Sequence, residues 1–417
     1  MKILWITNIL MPDIAEAMGL TKPSTGGWMP SMASFLMKQD KDLQLTIATV
    51  YKCNEPICRQ INGINYYVLP LKDKMTVYQK HLENLWKKVY EKLRPDVVHI
   101  HGTEYPHGLA FLRAYPDAKA VVSMQGMIGP YSKFYLAGLT NYDIYSHLTL
   151  LDLLTCSNIS INKKNFGRRE QYETEIIKRV RHVIGRTSWD RAQTWAINPK
   201  VEYHFCNETL RETFYHHTWN YENCEPHSIF VSQAGYPLKG FHQLLKAMPL
   251  ILREYPDAKI YVSGPNVIDV KVLFKRWHLR SNYGSYLKSL IRKLHIENKV
   301  VFLGMLQEEA MCEHYLKSNV FVCPSSIENS PNSLGEAQLL GMPCVASYVG
   351  GIPDMMKGQE EWCYRFEEIE MLAQLVCKAF EIKQPFSRAI AQERHDSRLN
   401  AYQMLKIYSE IIQNKSE

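Results

Sequence analysis

Glu328 and Glu336 stand eight positions apart in NVFVCPSSIENSPNSLGEAQLLGMPC, residues 319–344. The first acid closes a polar turn after the apolar strand Val320–Cys323, and the second falls inside the helix that follows. Asn332 and Ser333 are natural N-cap residues, and Gly341 and Pro343 end the helix. A turn so placed aims backbone N–H groups and the positive end of the helix dipole at whatever lies beyond the strand, which suits a phosphate. Two carboxylates beside an anion repel it, so their own partners should be neutral and rich in hydroxyls. Sugar and ribose hydroxyls meet that need, and the segment reads as a sugar-nucleotide site. A Glu-x7-Glu spacing alone arises by chance, so the rest of the chain must supply context.

Three further turns supply it. GYPLKGF (235–241) puts Lys239 and Gly240 after a strand and before the helix His242–Met248, where an ammonium can neutralise a departing diphosphate. STGGW (24–28) follows the first strand, and Gly26 and Gly27 allow close backbone approach to phosphate or sugar. SYVGGIPD (347–354) offers a similar Gly350-Gly351 turn beside the helix bearing Glu336. Each has a plain reading as an ordinary loop. No GxGxxG occurs, which argues against a dinucleotide dehydrogenase.

The elements that must position these turns alternate along the chain. Apolar runs at Ile3–Thr7, Leu45–Val50, Tyr66–Leu69, Val97–His101, Ala120–Ser123 and His182–Gly185 predict strands, with helices such as Trp28–Gln39 and Val77–Leu93 between them. A second series follows at Ser228–Gln233, Lys259–Ser263, Val300–Leu303, Val320–Cys323 and Cys344–Ser347. This is an α/β pattern of parallel sheets covered by helices. Residues 206–227 lack a clear period and read as a linker between a first domain, 1–205, and a second, 228–386. Residues 387–417 read as a helical end that either stays with the second domain or crosses back to the first. AYPDAKAVVSMQG (114–126) and EYPDAKIYVSGP (254–265) echo each other, consistent with two related halves, although Pro-Asp turns recur by chance.

Composition bounds the rest. A chain of 417 residues with 46% hydrophobic and 22% charged residues is ordinary for a globular protein of two domains. No run reaches the ~20 apolar residues of a membrane span, and MKILWITNIL reads as a first strand rather than a leader. Ten scattered cysteines without a CxxC pair suggest reduced thiols and a cytoplasmic protein. The net charge of +7 concentrates at Lys163, Lys164, Arg168, Arg169, Lys178, Arg179 and Arg181. No nucleic-acid-binding signature accompanies it. Attraction to an anionic membrane or a phosphorylated acceptor, and a merely solvated helix face, both explain it.

PSSIENSPNSLGEAQLLGMPCVASYVGGIPD, with the upstream Lys-Gly turn and the amino-terminal Gly-Gly, resembles glycosyltransferase family 4, specifically over about 228–360. Within that family it is similar to bacterial enzymes of capsule and exopolysaccharide synthesis. The resemblance implies a GT-B fold, two Rossmann-like domains facing each other across a cleft. It implies a retaining, metal-independent hexosyltransferase with no cofactor, moving a sugar from a nucleotide-diphosphate-sugar to a polysaccharide or lipid-linked acceptor. Glu328 and Lys239 would be catalytic, contacting the donor sugar and the leaving diphosphate. Glu336 would hold the ribose, and Asn329, Ser330, Asn332, Ser333, Gly26 and Gly27 would complete the donor site. The absence of Asp-x-Asp at a strand end and of His/Cys metal spacings agrees with a site that needs no metal.

Two departures stand out. Members of the family often carry an arginine five or six residues before the lysine, where this chain has Gln233 and Ala234. Arg186, in IGRTSWD, is the expected substitute. A histidine often follows the strand that here reads VVSMQGM, and this chain has Gln125, which hydrogen-bonds but accepts no catalytic proton. Front-face retention, with the leaving phosphate taking the acceptor's proton, suits that change. Gln125, His101 and His107 are the acceptor-side candidates. Tyr131, Phe134, Tyr142, Tyr145, Leu150, Leu153 and Leu154 precede the basic stretch and fit either a lipid-linked acceptor at the inner membrane face or a buried helix. A sugar-nucleotide epimerase of the same fold and a non-catalytic sugar-nucleotide-binding protein are the alternatives.

Overall fold

Strands buried on both faces appear in sequence as unbroken apolar runs, and the runs rich in Val, Ile and Leu here form two separate, mainly parallel sheets. The computed structural model describes residues 1–21, 27–268, 270–272, 277–279 and 281–413. The first sheet contains β1 (Lys2–Thr7), β2 (Gln44–Tyr51), β3 (Ile57–Ile61), β4 (Ile64–Pro70), β5 (Val97–His101), β6 (Ala120–Ser123), β7 (His182–Gly185) and β8 (Glu202–Phe205). Their order is β3-β4-β2-β1-β5-β6-β7-β8. Every neighbouring pair is parallel except the β3–β4 hairpin. Its Asn62-Gly63 tip has φ of 51° and 81°, the left-handed pair that a two-residue type I′ turn demands.

The second sheet contains β9 (Glu225–Val231), β10 (Lys259–Ser263), β13 (Val300–Gly304), β14 (Ser318–Cys323), β15 (Cys344–Ser347) and β16 (Cys363–Tyr364). A separate antiparallel ribbon pairs β11 (Val270–Val272) with β12 (Trp277–Leu279). The large sheet runs β13-β10-β9-β14-β15-β16. Counted along the chain, that is the 3-2-1-4-5-6 order of a Rossmann sheet. The direction in which strands are added reverses between β9 and β14, and in such sheets the loops after those strands diverge and leave a crevice at their carboxyl ends. The first sheet has the same switch between β1 and β5.

The chain divides into two compact units: 1–129 with 167–210 and 394–417, and 130–166 with 211–393. The expected domains differ from this in two places, and for the terminal helix the alternative of crossing back is the one found. Residues 130–166 group with the second unit, because Asn282 donates from Nδ2 to Ile144 O at 2.8 Å and His242 Nε2 lies 2.8 Å from Ala137 O. The linker expected over 206–227 is split at 210, and its Trp219 is fully buried, its indole N–H donating to Ser318 O at 2.8 Å. The terminal helix Ser397–Gln413 packs in the first unit, where Ile407, Tyr408 and Ile411 join a core with Trp5, Leu36 and Leu45. The hydroxyl of Tyr408 accepts from Trp5 Nε1 at 2.8 Å and bonds His99 Nδ1 at 2.6 Å. Among the described residues, no helix is long and apolar enough to cross a membrane.

Candidate functional site

In the second unit, Lys239 follows β9 and Glu328 follows β14, the neighbouring strands that border the switch point. Their side chains meet, Lys239 Nζ donating to Glu328 Oε1 at 2.5 Å. Ser325 Oγ donates to the same oxygen at 2.8 Å. Burial depresses the ammonium, but Glu328 and Tyr236 outweigh it and hold Lys239 above the usual lysine range. Two glycines make the approach possible. Gly240 has φ of +67°, and a Cβ there would fall 1.6 Å from Pro324 O. Gly350 has φ of +54°, and a Cβ there would fall 1.9 Å from Glu328 O. The N–H of the adjacent Gly351 donates to that carbonyl at 3.0 Å.

Glu336 lies one helical stretch further on, 4% exposed, and both its oxygens accept from Arg211, at 2.6 Å each. Burial raises the Glu336 carboxyl, and the guanidinium pulls it only part of the way back. The expected N-cap is corrected here. Pro331 occupies the cap position without a side-chain hydrogen bond, and Asn332–Leu340 forms the helix, so Asn332 and Ser333 stand in its first turn. Asn332 Oδ1 is buried with no hydrogen-bond partner among the described residues. The N–H of Asn329 donates to the Tyr131 hydroxyl at 3.1 Å, Ser330 Oγ faces Met355 Sδ at 3.6 Å, and Ser333 O accepts from Tyr315. Arg211 and Tyr131 are the neighbours that sequence reasoning did not assign to this site.

In the first unit the candidates behave differently. Arg186 is 4% exposed, pairs with Glu208 at 2.6 Å, and donates from Nη2 to Met124 O and Gln125 O at 2.9 Å. Its guanidinium is thus engaged by Glu208 and two backbone carbonyls of its own unit. His101 is 1% exposed, stacked on His99 at 3.8 Å and flanked by Trp5 and Trp28. Burial pushes it down to about 3, and neither ring nitrogen has a partner among the described residues. His107 is equally buried, bonds Thr7 O at 3.1 Å, and is pushed down to about 4 by burial. Both histidines stay neutral core groups. Gly27 precedes the helix Trp28–Gln39, while Gly26 lies outside the described residues.

Two acids near the first unit's switch point, half-buried Glu104 and buried Glu173, were not anticipated. Glu104 accepts from Asn8 Nδ2 at 2.7 Å and from Gly126 N at 2.9 Å. Glu173 accepts from Thr103 Oγ1 at 2.8 Å and from the N–H groups of Ile128 and Gly129 at 2.9 Å. Burial raises both carboxyls, Glu173 to about 7.

Two Rossmann-type sheets define an α/β protein of the GT-B fold, and solved structures agree. The chain superposes on sucrose-phosphate synthase of Thermosynechococcus elongatus with a TM-score of 0.69 at 14% identity, covering 98% of each chain. It superposes on HepE of Anabaena, solved with UDP and glucose, with a TM-score of 0.65 at 15% identity, over 98% of this chain and 100% of that one. Residues 219–403 match the family described as glycosyl transferases group 1. An uncharacterized glycosyltransferase of Methanocaldococcus jannaschii is 31% identical over 138 residues, 33% of this chain and 31% of that relative's length.

Proposed function

We propose that the protein is a retaining hexosyltransferase that moves a sugar from a nucleotide-diphosphate-sugar to a polysaccharide or lipid-linked oligosaccharide in cell-surface polysaccharide synthesis. The observation that carries this reading is the Lys239–Glu328 pair at the switch point, inside the stretch that matches group 1 transferases. A diphosphate arriving there competes for the ammonium, and Lys239 exchanges Glu328 for phosphate oxygens. Glu328 is then released to the hydroxyls of the donor sugar, or to support charge at its anomeric carbon. Each carboxylate oxygen of Glu336 has two lone pairs, and Arg211 occupies one on each. The remaining pairs can accept the two ribose hydroxyls, with the plane of the carboxylate held by the arginine. The orphaned Asn332 Oδ1 supports a polar ligand at the helix tip.

Lys239 and the helix tip supply the positive charge that the leaving diphosphate needs, so the transfer requires no metal or cofactor in this reading. UDP and glucose in the Anabaena neighbour support a nucleotide-sugar donor. Tyr142, Tyr145, Leu150, Leu153 and Leu154 are exposed, and with the basic residues after them they support peripheral contact with the anionic inner face of the cell membrane. The test is incubation with a panel of nucleotide sugars. Slow release of nucleoside diphosphate is expected, abolished in Lys239→Ala. An isomerised donor would instead make the protein an epimerase, and binding without turnover a non-catalytic binder; either result sinks the proposal.

A further inference from the structure

Away from the candidate donor site, β7 and β8 bring three metal-ligating side chains to one face of the first sheet. The strands pair in parallel with His182 opposite Glu202 and Ile184 opposite His204. Residues two apart on a strand share a face, so Glu202 and His204 both point to the side occupied by His182. His182 Nδ1 lies 3.1 Å from His204 Nε2 and 3.4 Å from Glu202 Oε2. One ligating atom from each residue lies within 4.8 Å of the others. The cluster opens toward solvent on one side, since the Glu202 side chain is 39% exposed and those of His182 and His204 are 6% and 13%.

Three acceptor atoms crowded together are poorly served by hydrogen bonding alone. One ring proton, on His182 Nδ1 or His204 Nε2 according to tautomer, makes the 3.1 Å contact between the rings and leaves Glu202 Oε2 with a longer one of 3.4 Å. A cation satisfies all three at once. Ligand atoms at ~2.0–2.1 Å from a tetrahedral Zn²⁺ stand about 3.3–3.4 Å apart, close to the separations of 3.1 and 3.4 Å found here. The surroundings are those of a supported ligand set. Glu202 Oε1 accepts from Arg181 Nε at 2.6 Å, which turns its other oxygen toward the histidines. Glu410, on the terminal helix Ser397–Gln413, places a carboxylate oxygen 3.7 Å from Nδ1 of His204, the ring nitrogen opposite the proposed ligand. Carboxylates commonly orient metal-bound imidazoles in this position. Burial shifts both histidines downward, which favours the uncharged form that ligates a metal.

We infer that His182, Glu202 and His204 form a binding site for a borderline divalent ion of the Zn²⁺ class, with Glu410 steering His204. Three protein ligands leave one position for water. The site would fasten edge strand β8 to β7 and, through Glu410, to the helix that closes the first unit's core. Its role is structural and separate from sugar transfer, so it stands whether or not the transferase reading does.

The experiment uses the full chain stripped with a chelator, then titrated with Zn²⁺ alone by calorimetry. Co²⁺ is added in parallel as a spectroscopic stand-in. The expected result is one tight equivalent, a visible Co²⁺ band typical of low coordination number, and a Zn²⁺-dependent rise in melting temperature. His182→Ala and His204→Ala should each abolish all three signals, while His227→Ala, at a half-buried histidine of the second unit, should keep them. Glu410→Gln, on a half-exposed side chain that leaves the core intact, should weaken Zn²⁺ by about 10- to 100-fold. Absence of the equivalent in the unaltered protein overturns the inference. So does its persistence in both histidine variants, or an unchanged affinity in both Glu202→Gln and Glu410→Gln.

Discussion

Glu328 and Glu336, each with about one-twentieth of its surface exposed, each face a cation, Lys239 and Arg211. Removing one partner from such a pair strands the other, at a cost of about 3–5 kcal/mol. Lys239→Met should therefore lower stability in urea melts, and adding Glu328→Gln should restore much of it. Donor turnover should stay about 10²–10³-fold down in both, because the diphosphate has lost its ammonium. Arg211→Met should weaken nucleotide diphosphate binding by roughly 1.5–3 kcal/mol in calorimetry, the worth of hydrogen bonds to a charged group. Glu173 gives a pH signature. Between its ordinary 4.5 and about 7 the unfolded chain has released this proton while the folded chain keeps it. The contribution of Glu173 to stability is thus full below pH 4.5, falls as pH rises, and is gone above 7, by roughly 3 kcal/mol in all. Glu173→Gln should flatten that part of the melting-temperature profile, whatever its constant offset. The two acids and the lysine were legible because strand, turn and helix signals flank them. Arg211 was not, since its partner lies 125 positions away and its own surroundings have no period.

At the level of elements, the buried strands announced themselves and the edge strands did not. Val97–His101 and Cys344–Ser347 are fully buried runs and were placed to the residue. β3, with Cys58, Arg59 and Gln60 exposed, and β8, which mixes Glu202 with aromatic residues, look like loop until a neighbour pairs with them. The Glu-His strand of β8 also hid its histidine from any spacing search, because His182 comes from the adjoining strand. The turns around the candidate site depend on backbone that only glycine tolerates. Gly240→Ala and Gly350→Ala should each lower the melting temperature clearly, since the new methyl meets a backbone carbonyl rather than a mobile side chain. Gly138→Ala, with φ of +79° but open space around it, should cost only the conformational strain. Arg186→Ala belongs here as well. It strips cover from Glu208 and from the carbonyls of residues 124 and 125, so thermal denaturation should register it before any assay of turnover.

Over the whole chain, the two-fold alternation of strands and helices was readable, but the assignment of segments to units was not. Alternation reports local structure, whereas membership depends on long-range contacts such as Tyr408 with Trp5 and Asn282 with Ile144. A fragment ending at residue 210 lacks Ile407, Tyr408 and Ile411 and exposes the apolar surface they cover. It should bind a hydrophobic dye and aggregate, and a separately supplied peptide of residues 394–417 should reduce both effects. The returning helix also sets an order of events on the ribosome. Domains usually mature from the amino terminus as the chain emerges. Here the later unit receives its last segment, ending at 393, before the segment from 394 onward completes the earlier one, so the amino-terminal unit is the second to be finished.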